Sequence, residues 1–187
     1  MRNVLMDLGI SRDLVYTILA RLWGMISGLV VIFLVAHFFS RIEQGYYYTF
    51  SSLLALQVVF ELGLSSVIIQ FSAHEFTFLR WSEKGLILGP RKHRSRVLDL
   101  FSIAVKWYAV SAVILILLLS LGGNFFFRGS PGLSAEIDWF MPWALAVLGL
   151  AANLTLIPFF ALMTGGGLVG DVSRLELFSG FLSVLFG

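Results

Sequence analysis

Gln57, Glu61 and Ser65 fall at every fourth position of a long apolar run, Tyr46 to Glu75, so a helix would carry them on one face. A carboxylate at mid-membrane depth is costly against lipid, so Glu61 must face protein or water. There it either serves as a binding group or hydrogen-bonds a neighbouring helix. Arg21 is a second ionisable group inside an apolar run. Two roles are open to it: its guanidinium snorkels to the cytoplasmic headgroups, or it lines a cavity and attracts an anion. Asn153 lies deep in a later run, where an amide usually hydrogen-bonds another helix. Asp99, Ser102 and Lys106 share a face at i, i+3 and i+7, as a local ion-pair face or part of a cavity mouth. His37 is expected at the interface rather than as a ligand or proton relay.

Other chemistries are excluded. The chain has no HExxH, no nucleophile elbow and no paired-carboxylate cluster in one segment. It has no cysteine, which removes disulfides, thiolate metal sites and a cysteine nucleophile. No enzymatic activity, cofactor or metal is expected. Gly165 to Gly170 fits a dinucleotide fingerprint in letters alone. That fingerprint needs a preceding strand and a later acid, so the stretch is read as a cytoplasmic turn. Asn153-Leu154-Thr155 matches a glycosylation sequon but falls inside an apolar run and is set aside.

Composition supplies the elements that hold these groups. Of 187 residues, 58% are hydrophobic and 13% charged, against about 25% charged in soluble domains. The reading is an all-α polytopic membrane helix bundle in a single domain, 1–187. Full spans are predicted at 14–39, 46–74, 98–121 and 139–163, and the start of a fifth at 174–187. The second run reaches about 42 Å as one helix against a hydrocarbon core of about 30 Å, so it needs tilt, a break, or ends in the headgroups.

The connections are read in order. Met1 to Asp13 is amphipathic and is expected at the interface. Ala20, Gly24 and Gly28 form a small-residue row that lets a helix approach closely. Ser40 to Gly45 reads as a tight polar turn, and Tyr46, Tyr47 and Tyr48 as an aromatic belt. Phe76 to Arg96 reads as the main loop, with six cations against Glu83. It is taken as a topogenic cytoplasmic loop; nucleic acid is not expected as a partner. With the amino terminus inside, eleven Lys and Arg fall on the cytoplasmic side and two, Arg41 and Arg128, outside. Gly122 to Asp138 is expected as an external loop with Phe125 to Phe127 at the interface, and Pro158 as a kink. The unfinished fifth span leads to the expectation that the sequence is an amino-terminal fragment.

The order of motifs resembles a known family. Arg21-Leu22-Trp23-Gly24, then Ser40-Arg41-Ile42-Glu43-Gln44-Gly45-Tyr46-Tyr47, then Glu61-Leu62-Gly63-Leu64 and a basic loop look like the start of a Wzx-type polysaccharide flippase. This is a branch of the multidrug/oligosaccharidyl-lipid/polysaccharide exporter superfamily. Gly170, Arg174 and Gly180 are similar to the start of its fifth helix. The resemblance implies the amino-terminal part of one lobe of a two-bundle transporter in the bacterial inner membrane. Such a transporter moves polyprenyl-diphosphate-linked oligosaccharide by alternating access, with the amino terminus and the 75–97 loop cytoplasmic. Arg21 would meet the diphosphate. Glu61, with Gln57, would bind sugar hydroxyls or a coupling H+ or Na+, and Asn153 is a further cavity residue. The implied partners are lipid-linked oligosaccharide, membrane lipids and polysaccharide polymerase machinery. A drug exporter of the same superfamily and a small multi-span scaffold are the alternatives. A fragment alone would be inactive, because rocking needs both halves.

Overall fold

The computed structural model describes residues 12–128 and 139–186. The fold is helical apart from one two-stranded ribbon. Helices α1 (Arg12–Phe38), α2 (Arg41–Leu54), α3 (Gln57–Glu61) and α4 (Leu64–Glu75) lead to strands β1 (Arg80–Trp81) and β2 (Ile87–Leu88). Helices α5 (Arg91–Arg128), α6 (Phe140–Gly165) and α7 (Val169–Phe186) follow. Among the described residues, α1, α5 and α6 are long and apolar enough to cross a membrane. The bent pair 41–61 and 64–75 makes a fourth if taken as one span. These helices mark a multi-pass membrane protein.

Several boundaries differ from the sequence reading. Ser40 to Gly45 is not a turn. The Ser40 hydroxyl accepts from the Glu43 N–H at 3.3 Å, and the Glu43 carboxylate accepts from the Ser40 N–H at 2.7 Å. This reciprocal cap starts α2 at Arg41. The basic loop also ends early: Arg91, Lys92, Arg94 and Arg96 lie in the first turns of α5. At its other end α5 runs on to Arg128, into the predicted external loop; residues 129–138 of that loop and residues 1–11 of the opening stretch lie outside the described residues.

The chain divides into two compact units. The larger, 39–166, holds α2 to α6. Its core is built where α4, α5 and α6 meet, around Ile68, Tyr108 and Leu154 with Ala104, Ala112, Ala151 and Ala161. Alanines at these contacts bring helix backbones close. Gly165 serves the same purpose at the end of α6. A Cβ there would stand 2.6 Å from the Ile69 carbonyl oxygen and 2.7 Å from the Ser72 Cβ. Pro158 is buried inside α6, which continues through it to Gly165.

A second core is aromatic. Tyr46 stacks on Phe127 at 5.3 Å, and Phe50 meets Trp143 at 4.8 Å. Tyr46 and Phe127 are thus core residues rather than interfacial ones; Tyr48 and Phe125 remain exposed, as an interfacial ring would be. A third cluster, Leu79, Val97 and Leu162 with Ile87 and Phe101, lies under the ribbon. Arg80 pairs with Leu88 and Trp81 with Ile87. The Trp81 indole N–H donates to the Gly166 carbonyl at 2.9 Å, which ties the ribbon to the end of α6.

The smaller unit pairs α1 with α7. Trp23 stacks on Phe181 at 3.9 Å, and the Thr17 and Ser173 hydroxyls share a hydrogen bond of 3.1 Å. The close approach comes from Gly170 and Gly180 of α7, whose faces abut Asp13 and Trp23. The predicted row on α1 does not supply it: a Cβ on Gly24 or Gly28 would meet nothing within 4 Å.

Candidate functional site: a polar break in the second apolar run

The second run breaks twice, and local chemistry accounts for both breaks. Thr49, Ser51 and Ser52 each donate a hydroxyl to the carbonyl four residues earlier, at 2.8, 2.9 and 2.8 Å. Such back-bonding bends helices. Directly after it, the Leu56, Val58 and Val59 N–H groups bond carbonyls three residues back, at 3.2, 3.1 and 3.0 Å. The backbone has tightened to a 3-10-like turn. The second break is at Leu62 and Gly63, with φ of 49° and 68°. Gly63 enters the left-handed region freely; Leu62 does so against its Cβ. The two flanking segments are bent by 42°.

The short helix α3 between the breaks carries Gln57 at its first position and Glu61 at its last. Both are half-buried. The Ser65 hydroxyl, across the second break, donates to Glu61 Oε1 at 2.6 Å. Gln57 Oε1 is buried and has no hydrogen-bond partner among the described residues. So the structure keeps Gln57, Glu61 and Ser65 close in sequence order but on a broken element, not on the continuous helical face that their spacing predicts. Tyr108 of α5 is fully buried and lies within electrostatic reach of Glu61. The sequence reading missed it, because a tyrosine in an apolar helix carries no spacing signal.

This arrangement is rich in acceptors. One carboxylate oxygen is satisfied by Ser65, while the amide oxygen is left without a donor. The missing donor is of the kind a hydroxyl, a proton on Glu61, or a cation supplies. Among the described residues, no group of three or more His, Cys, Asp or Glu could hold a metal ion.

The other expected site residues lie elsewhere. Arg21 is exposed on α1 and forms no ion pair among the described residues. Asn153 is exposed on α6 and makes no hydrogen bond to another helix there. Asp99 and Lys106 are exposed and do not pair with each other. His37 is exposed and packs on Phe33 and Phe38.

A second polar cluster was not foreseen. Glu75, the last residue of α4, is buried, with a side chain only 3% exposed. Its carboxylate accepts from His93 Nδ1 at 2.5 Å and from Arg96 Nη1 at 3.4 Å. Phe78 stacks on the His93 ring at 4.3 Å. The sequence held a partial signal: a lone acid ends an apolar run, and one histidine stands among arginines beyond a turn. Comparison with protein-family models, with curated proteins and with solved structures finds no match.

Proposed function

We propose that this chain is part of a flippase that moves polyprenyl-diphosphate-linked oligosaccharide across the bacterial inner membrane by alternating access. The observation that carries the reading is the doubly broken second run with Glu61 and Gln57 between its breaks. Transporters build substrate and ion sites at such interruptions, because unwound backbone is tolerated only beside protein or a wet cavity. Glu61 and Gln57 accept from sugar hydroxyls or hold a coupling H+ or Na+. Arg21 meets the diphosphate with its guanidinium fork. Asn153 is a further polar contact for the glycan. Polysaccharide polymerase machinery takes up the exported product.

The test is complementation of a flippase-deficient strain by the gene encoding this chain, carrying Arg21→Ala or Glu61→Gln. Both variants should reach the membrane at normal levels and lose surface polysaccharide. Normal polysaccharide from both would remove these residues from the site.

One observation favours a drug exporter of the same superfamily. Beside the α1–α7 pair is a cavity of about 740 Å³ whose lining, including Trp23, Phe178 and Phe181, carries one cation, Arg174. Aromatic walls suit apolar drugs. Drug sensitivity that follows Trp23→Ala, with surface polysaccharide unchanged, would select this reading.

A further inference from the structure

We propose that the β1–β2 ribbon and the first turns of α5 form a docking surface for anionic phospholipid headgroups. Arg80, Lys84, Arg91, Lys92 and Arg94 are all exposed there, and none forms an ion pair among the described residues. Of the acids nearby, Glu75 is buried and already committed to His93 and Arg96, and Glu83, exposed in the ribbon turn, forms no ion pair among the described residues. Apolar side chains stand among the cations: Phe78 is 54% exposed, Leu86 61% and Leu88 39%.

The surface is rigid rather than a loose basic loop. The Ser82 N–H donates to the Leu86 carbonyl at 2.7 Å, and Gly85 closes the turn with φ of 72°. Gly89 packs its backbone against Leu79, where a Cβ would stand 2.6 Å from Cδ2. Trp81 bonds Gly166, as described. The cluster lies where α4 ends and α5 begins, at one end of the apolar segments.

Apolar tips interleaved with unpaired cations match a phospholipid leaflet, which offers acyl chains beneath a layer of negative charge. Nucleic acid offers the charge, and bases could stack on Phe78, but it offers no apolar layer for the aliphatic tips Leu86 and Leu88. The phosphodiester headgroup is therefore the partner that the surface fits. This inference stands apart from the transport reading.

The chain has no cysteine, so Leu86→Cys gives one labelling position. The full chain carries an environment-sensitive fluorophore there. It is placed in vesicles of phosphatidylcholine alone and of phosphatidylcholine with an equal part of phosphatidylglycerol. Emission should shift to the blue in the mixed vesicles, and high salt should weaken the shift. Replacing Lys84, Arg91, Lys92 and Arg94 together with glutamine should raise the phosphatidylglycerol needed for that shift by about tenfold or more. Equal emission in the two vesicle types would overturn the proposal. So would a shift produced by an added single-stranded oligonucleotide in phosphatidylcholine alone. The comparison between vesicles requires no charge substitution, so it stands even if the glutamine variant inserts wrongly.

Discussion

His93 Nδ1 donates to the Glu75 carboxylate at 2.5 Å across eighteen positions of chain and an intervening ribbon. The bond joins the end of α4 to the start of α5. Removing one partner leaves the other poorly compensated in a buried place. Glu75→Gln and His93→Ala should each lower the thermal midpoint of the chain in detergent by several degrees. The double variant should fall by clearly less than the sum, because the two residues act as one pair. Strict additivity would show that they do not.

Gly165 is required by packing, not by backbone freedom. Adding a methyl group there pushes on the Ile69 carbonyl, which cannot swing aside as a side chain would. Gly165→Ala should cost about 1–3 kcal/mol, the range for overpacking. Gly149→Ala, on the same helix with nothing within 4 Å of the new methyl group, should be neutral or stabilising by up to about 1 kcal/mol. Unfolding of the two variants side by side in mixed micelles checks both values.

Leu62 holds a left-handed conformation that costs an L residue about 1–2 kcal/mol. Glycine removes that cost but loses about 0.5–1 kcal/mol in chain entropy. Leu62 is also 71% exposed, so little packing is lost. Leu62→Gly should therefore stabilise the chain by about 0.5 kcal/mol. Gly63→Ala, with φ of 68°, should destabilise it by about 0.5 kcal/mol, the same balance with the opposite sign. A loss in the first variant as large as in the second would mean that the break is not strained at Leu62.

Trp81 holds the ribbon by a single indole hydrogen bond to Gly166 while its ring packs on Phe76 at 5.0 Å. Trp81→Phe keeps a ring there and removes the donor. The expected cost is about 0.5–1.5 kcal/mol, seen as faster proteolytic cleavage in the stretch around Gly85. An unchanged cleavage rate would mean that the third core alone fixes the ribbon.

Hydropathy made the long helices legible, because burial in lipid constrains length and composition locally. It also required the second run to tilt, break or overhang, and the break is what the structure contains. The position of the break was written in Thr49, Ser51, Ser52 and Gly63, whose effect depends on local hydrogen bonds that a hydropathy window averages away. The capping pair Ser40 and Glu43 was legible in principle from its three-residue spacing. Glu75 and His93 each stood out by their surroundings, but their pairing did not, because nothing in their separation encodes a contact across a folded ribbon. The row Ala20, Gly24 and Gly28 had the right spacing for close packing, but spacing names a face and not its occupant. Gly170 and Gly180 fill that role from the other side of the pair.

The pairing of α1 with α7 also sets an order of events. Thr17 and Ser173 stand 156 positions apart. At about 5–20 residues per second, the ribosome needs about 8–30 s to make the chain between them. Through that interval Trp23 and the faces that Gly170 and Gly180 will cover are without their α7 partners. The larger unit has all its helices in hand before α7 exists. Assembly of the smaller unit thus follows the synthesis of every helix of the larger one.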